Sequence, residues 1–459
     1  MLISYFLELG PKLHSGGLSM LTRLLACTIA FAAPLAALAQ TPPQVSPAIE
    51  ASAPLKARIG ELAEILAGKG EYDAYFAPAF RSQVPKERFA QINAQIAATA
   101  GPMIGIESIT PRTPWIADVT IGFRDAIGTI RISVAAAEPH QVDGLLFSGL
   151  TPRVGDMASV RSAIAALPGR TGFALARLGD GAPQVLAADH GDTPFAIGSA
   201  FKLVILAELV RGVNAGERRW DDTVTLDGGP LPGGHYMRSP AGTKVTLREL
   251  AQKMISISDN SATDILLHHL GRARVEAMLG VVGVADPAGM TPFPGTLEIF
   301  KLKGVPGMAD RYLKLDPAGR RQFLDGEVAR TPIIAISPTL FQDGKPMQIE
   351  QLEWFATPAD MIRVMDWLRR NSATGSGAEA RKILGLNPGI AQPAAAQWKW
   401  VGYKGGSEPG VIHMTLLLEG KDGSWYALSS SWNNPAAPVE EVRFAGLIGR
   451  AAELAAPKP

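Results

Sequence analysis

The sequence predicts an α+β protein built in two parts. Three observations predict it. Residues 49–152 read as helices followed by strands, residues 153–459 carry strands at both ends with helices between, and 459 residues exceed one ordinary domain. Helices grouped beside an antiparallel sheet, rather than alternating with strands, are the mark of this class.

The first part opens helically. Leu55, Ile59, Leu62, Ile65 and Leu66 recur at the spacing of one helix face, and Phe89, Ile92 and Ile96 do the same. Residues 117–123 and 129–134 are rich in Val, Ile and Thr and are joined by a turn at residues 125–128, so they read as a hairpin. The pattern of helices before a sheet resembles the cone-shaped NTF2-like (nuclear-transport-factor-like) modules that precede some secreted hydrolases. It carries no catalytic motif, and a support or binding role is expected of it.

The second part opens with strands at residues 172–178 and 184–188 around Gly179-Asp180-Gly181. A strongly apolar helix is expected over residues 201–213. Thr246-Leu247-Arg248-Glu249 is a capping box, and Thr357-Pro358-Ala359-Asp360 announces a further helix. Strands are expected at residues 398–404, 412–418 and 425–430, then a closing helix at residues 439–454. One antiparallel sheet assembled from both ends, with an inserted helical region, accounts for that order. The Gly- and Pro-rich residues 227–242 read as a loop over the cleft.

Ahead of both parts, Arg23 precedes an apolar run at residues 24–36 that ends in Ala37-Leu38-Ala39 before Gln40. A positive start, an apolar middle and small residues at A-x-A describe a secretory signal peptide over residues 1–39, with Met20 as a possible true start. Residues 40–48 form a Pro-rich linker. The run is short for a membrane span, so a periplasmic or secreted chain without a stable span is expected. Cys27 is the only cysteine and lies in this segment, so its removal leaves no thiolate nucleophile and no Cys-based metal site. A net charge of +1 gives no reason to expect nucleic acid as a partner. No H-E-x-x-H or similar spacing occurs, and neither a metal nor another cofactor is expected.

Three short motifs follow one another: Ser199-Ala200-Phe201-Lys202, Ser258-Asp259-Asn260 and Lys404-Gly405-Gly406. A serine at the start of an apolar helix sits among unpaired N–H groups that stabilise a developing alkoxide. Lys202 projects from the same helix side three residues on, and burial favours its neutral amine, which can take the serine proton. Ser258 can relay a proton to a leaving group. Asn260 can offer its amide to substrate or to Lys202. The same residues also suit plainer work, a capping serine with a snorkelling lysine and an N-cap cluster.

The conjunction and order of these motifs resemble the serine β-lactamases and penicillin-binding proteins, the class A branch especially, which carry S-x-x-K, S-D-N and K-T/S-G. With its extra N-terminal part the chain looks more like the β-lactamase-like proteins of clavulanic-acid gene clusters and related secreted serine hydrolases than like a minimal β-lactamase. The resemblance implies a β-lactamase/transpeptidase-like fold and an exported serine hydrolase acting through an acyl-enzyme on β-lactams, peptidoglycan-type peptides or small esters. It also leaves open an esterase or D-amino-acid peptidase of the family, or a non-catalytic penicillin-binding sensor. It implies Ser199 as nucleophile, with Lys202, Ser258 and Lys404 as catalytic partners. Asn260, Gly406 and Ser407 would bind substrate, and the oxyanion would meet the N–H groups of Ser199 and Ser407.

Two departures stand out. Gly405 occupies the place of a Thr or Ser whose hydroxyl binds a substrate carboxylate. No E-x-x-L-N motif lies between Asn260 and Lys404, so the water-activating glutamate of the class A enzymes has no direct counterpart. Glu298 stands at about the right distance past Ser258 and is the candidate deacylation base, although an ordinary acid in the first turn of a helix is the plainer reading.

Overall fold

The computed structural model describes residues 49–457. The signal peptide, Met20 and the linker at residues 40–48 lie outside the described residues.

The first unit begins with α1 (Ala53–Leu66), capped by the Ser52 hydroxyl, which accepts from Leu55 N at 3.3 Å. Two short helical turns lead to α2 (Lys86–Ala100). Four antiparallel strands follow as a meander: β1 (Met103–Thr113), β2 (Ile116–Phe123), β3 (Ala126–Val134) and β4 (Val142–Pro152). Leu55, Ile59 and Leu62 bury their stripe against Val119, Ile121, Ile130 and Ile132, which form a core of their own. The predicted hairpin is the centre of this sheet. Its outer strands, β1 and β4, are additions to the sequence expectation.

The second unit starts with α3 (Met157–Ala165) and the hairpin β5 (Arg170–Leu178) and β6 (Gln184–Asp189). A two-residue strand, β7 (Phe195–Ala196), precedes a 3-10 turn at Gly198–Phe201 and the helix α4 (Lys202–Asn214). Helices α5 (Leu247–Ser256), α6 (Asn260–Leu270) and α7 (Thr296–Gly304) build the helical region. The short strand β8 (Phe355–Ala356), α8 (Pro358–Asn371), the strands β9 (Trp400–Glu408), β10 (Val411–Glu419) and β11 (Trp425–Asn433), and α9 (Glu441–Ala455) complete the chain.

The main sheet has the order β9-β10-β11-β5-β6 and is antiparallel throughout, so strands from both ends of the unit meet at the β11–β5 pair. The period of two in its strands sends alternate residues to opposite faces. Leu417, Ala427 and Ala176 join the core under the helical region, whereas Met414, Leu416, Leu428 and Phe173 pack with α3 and α9. Strand β9 thus forms the sheet edge, and Lys404, opposite Thr415, faces the helical region. Trp398, expected to open the strand at residues 398–404, precedes it instead. Its indole N–H donates to Ala452 O at 3.1 Å on the α9 side. The two units touch where α9 crosses β4: a Cβ on Gly446 would stand 1.5 Å from Leu150 O, so only glycine allows that approach.

Candidate active site

Ser199 lies in the 3-10 turn between β7 and α4, just ahead of the helix, which begins within one residue of its expected start. The turn is clamped on both sides. Behind it, β7 pairs with β8, Ile197 N donates to Trp354 O at 3.0 Å, and the Phe201 ring stacks on Trp354 with centroids 3.8 Å apart. In front runs the β9 edge. A Cβ on Gly406 would stand 2.2 Å from Ser199 N, and a Cβ on Gly198, whose φ is +46°, would stand 3.1 Å from Ser407 N. Glycine at both positions therefore brings the two N–H groups expected to hold an oxyanion into one narrow space.

Lys202 is fully buried at the start of α4 among Leu203, Val204 and Phe201. Its Nζ reaches Ser258 O at 2.6 Å, Asn260 Oδ1 at 2.7 Å and Ser258 Oγ at 3.1 Å. Burial pushes its pKa down to about 7, against the opposing pull of the Asp264 and Asp259 carboxylates. A neutral amine fits these three contacts without loss. It donates to the two carbonyl oxygens and accepts the Ser258 hydroxyl proton. Lys202 makes no hydrogen bond to Ser199 among the described residues. Its reach toward Ser199 requires one of the present contacts to be exchanged.

Ser258 sits in the link from α5 to α6 with φ +59°, a left-handed conformation that costs a non-glycine residue of order 1 kcal/mol. The motif around it explains how that conformation is held. Asp259 is the N-cap of α6, its Oδ1 accepting from Ala262 N at 2.8 Å and Ser261 Oγ at 2.6 Å. Its Oδ2 accepts from His235 N at 2.5 Å, and Ser261 Oγ accepts from Tyr236 N at 2.9 Å. The loop at residues 227–242 is thus tied to the motif. The capping and functional readings coexist: Asp259 caps the helix, while Ser258 and Asn260 face Lys202.

Lys404 donates to Ser258 Oγ at 3.0 Å and to Gly405 O. Ser258 therefore stands between two lysine nitrogens, an unbroken path for a proton. Burial, and secondarily the charge of Lys202, push Lys404 well below the ordinary lysine range. Its ammonium is enclosed and weakened, because low dielectric and a like charge both disfavour it. Beneath it, His413 is held neutral by burial, at about 3. Its ring nitrogens contact Ser431 Oγ at 2.7 Å and Thr415 Oγ1 at 2.6 Å.

Gly405 also has a physical reason. A Cβ there would stand 2.1 Å from Tyr403 Oη and 2.8 Å from His413 O. The Tyr403 phenol fills the space a Thr or Ser side chain would need.

Glu298 does not join the cluster. It is the N3 residue of α7, accepting from Gly295 N at 2.6 Å and from Arg272 at 2.6 and 3.0 Å. Both oxygens are occupied by the Gly295 N–H and the Arg272 ion pair, so the first-turn role describes it and the expected deacylation role loses its geometric basis. Asp264 accepts from Thr296 N at 2.7 Å and Leu297 N at 2.9 Å and fixes the same helix end beneath Lys202. Sequence reasoning passed over Asp264, and also over Glu353 and Glu408, which flank the Ser199 turn. Glu408 shares the strand face of Lys404 by period two, a signal the sequence contained. Glu353 is placed only by the β7–β8 pairing.

Among the described residues no group of three or more His, Cys, Asp and Glu could hold a metal ion, and no helix is long and apolar enough to cross a membrane.

Several solved structures are similar to this chain. A beta-lactamase from Sphaerobacter thermophilus is 22% identical with a TM-score of 0.45, covering 64% of this chain and 94% of its own. A beta-lactamase from Chitinophaga pinensis is 19% identical with a TM-score of 0.45, covering 65% and 96%. The structure named PBP-A is 16% identical with a TM-score of 0.44, covering 65% and 92%. Comparison with curated proteins gave no match. The sequence model described as the beta-lactamase enzyme family matches residues 157–454, nearly the whole second unit and more than half of the chain. The chain belongs to the beta-lactamase enzyme family.

Proposed function

We propose that this chain is an exported acyl hydrolase that forms an ester between Ser199 Oγ and the acyl group of a β-lactam or a related amide or ester. The observation that carries the reading is the Lys202–Ser258–Lys404 chain, with contacts of 3.1 and 3.0 Å about one hydroxyl, beside a serine turn pressed against Gly406. In the attack, Ser199 Oγ bonds to the acyl carbon and its proton passes to the amine of Lys202. Ser258 then carries a proton from Lys202 to the leaving nitrogen or oxygen, and Lys404 biases that hydroxyl through its hydrogen bond. The N–H groups of Ser199 and Ser407 face the developing oxyanion. Hydrogen bonds of this kind tighten when substrate binds, which accommodates the present Lys202 contacts. The first unit is read as a support or binding module.

A second reading, an esterase or D-amino-acid peptidase, is favoured by Gly405 and the enclosed Lys404, which together weaken a carboxylate subsite. Turnover of a chromogenic cephalosporin and of a p-nitrophenyl ester, each against Ser199→Ala, separates the two. Both activities vanish in the variant if Ser199 is the nucleophile. Activity that survives in Ser199→Ala contradicts the proposal.

A further inference from the structure

The absent E-x-x-L-N glutamate and the occupied Glu298 leave the proposed acyl-enzyme without a base for its hydrolysis. A different pair of carboxyl groups flanks the same turn. Register places the first: Phe355 lies opposite Ala196 and Trp354 O accepts from Ile197 N, so Glu353 continues that ladder to a position opposite Gly198. The second, Glu408, lies on β9 two residues past Gly406 and on the same strand face, about 7 Å along the strand. Lys303 joins them, its Nζ donating to Glu353 and to Glu408 Oε1 at 2.6 Å.

The burial of these groups is graded. The side chain of Lys303 is 0% exposed, that of Glu353 1% and that of Glu408 14%. Glu353 Oε2 is buried with no hydrogen-bond partner, which would cost a charged oxygen heavily. A proton shared between the two carboxyl groups supplies the missing donor. It also leaves one negative charge against Lys303, a neutral trio in a dry setting. Burial and the neighbouring Glu353 charge hold Glu408 well above the ordinary carboxylate range, as a shared proton requires.

We propose that Glu408 is the base that activates water for hydrolysis of the Ser199 acyl-enzyme, and that Glu353 and Lys303 are positioning residues that set its place and charge. The proposal rests on the acyl-enzyme reading above. In its ionised form Glu408 takes a proton from water as the water oxygen bonds to the acyl carbon, so hydrolysis falls off on the acid side of its raised titration. The bond from that carbon to Ser199 Oγ then breaks, its electron pair stays on Oγ, and Glu408 returns the proton there. The products are a free carboxylic acid and the original serine.

Intact-protein mass spectrometry of the full chain with benzylpenicillin, and with a p-nitrophenyl ester as a second acylating probe, tests this. Adduct formation at Ser199 tests the acyl-enzyme reading, and adduct lifetime tests Glu408. In Glu408→Gln the acylation rate stays within about threefold of wild type, while the adduct persists roughly 10²- to 10⁴-fold longer, the usual contribution of a general base. Glu353→Gln removes the charge that raises Glu408, so the acid limb of the deacylation profile moves to lower pH, a shift that loss of packing alone does not give. If Glu408→Gln fails to fold, Glu408→Asp carries the test, with a lifetime longer by at least tenfold expected. An adduct lifetime in the variant within threefold of wild type overturns the proposal, as does a wild-type adduct that never hydrolyses. Failure of both probes to modify Ser199 overturns the acyl-enzyme reading and this proposal with it.

Discussion

The titration of Lys202 gives the sharpest prediction. An ordinary lysine at 10.5 is neutral in only about 3 molecules in 10⁴ at pH 7, whereas a group moved to about 7 is half neutral there, a gain of roughly 10³ in available base. The cause is burial of the ammonium, opposed by Asp264 and Asp259. The sign follows directly. Below the lowered value Lys202 is charged and cannot accept the Ser199 proton, so acylation rises about tenfold per pH unit on the acid side and levels above the midpoint. Single-turnover acylation of Ser199 by a fluorescent penicillin, followed from pH 5.5 to 9.5, reads this out. The expected midpoint lies near 7. Asp264→Asn, which removes one of the charges that favour the ammonium, moves it lower. A midpoint above 9, or a flat profile with acylation intact, refutes the assignment of Lys202 as the base.

Other substitutions give independent checks. Ser258→Gly relieves the left-handed φ while removing the relay, so it is more stable than Ser258→Ala by about 1 kcal/mol in chemical denaturation. Both variants acylate at least about 10²-fold more slowly. Gly405→Thr collides with Tyr403 Oη and costs about 1–3 kcal/mol, and double-mutant cycles with Tyr403→Leu show coupling of at least about 1 kcal/mol. Glu298→Ala loses the cap of α7 and the nearer of the two carboxylates around Arg272, lowering stability by about 1–3 kcal/mol, while adduct lifetime stays unchanged.

The short motifs were legible because each packs its chemistry into a few consecutive residues: Ser199 with Lys202 on one helical turn, Ser258 with Asn260 about an N-cap. The strand that carries Lys404 was expected to begin at Trp398 but begins at Trp400, because residue pattern does not reveal where a strand begins. Strands β1 and β4 escaped notice for a related reason. Gly105, Pro111, Gly144 and Gly149 interrupt their apolar pattern, and neighbouring strands rather than local propensity hold them. Glu298 shows the limit of counting along the chain. Its separation from Ser258 was suitable, yet Gly295 and Arg272 claim its carboxylate. Glu353 lies more than 150 residues from Ser199 in sequence, and only the β7–β8 ladder brings it beside the nucleophile turn.

Peptide mapping after brief exposure to an acylating β-lactam tests the nucleophile assignment most directly. A single covalent adduct on the peptide that contains Ser199, absent from Ser199→Ala and slowed at low pH by protonation of Lys202, is the result this account predicts. An adduct on any other residue, or one that forms equally in Ser199→Ala, contradicts it.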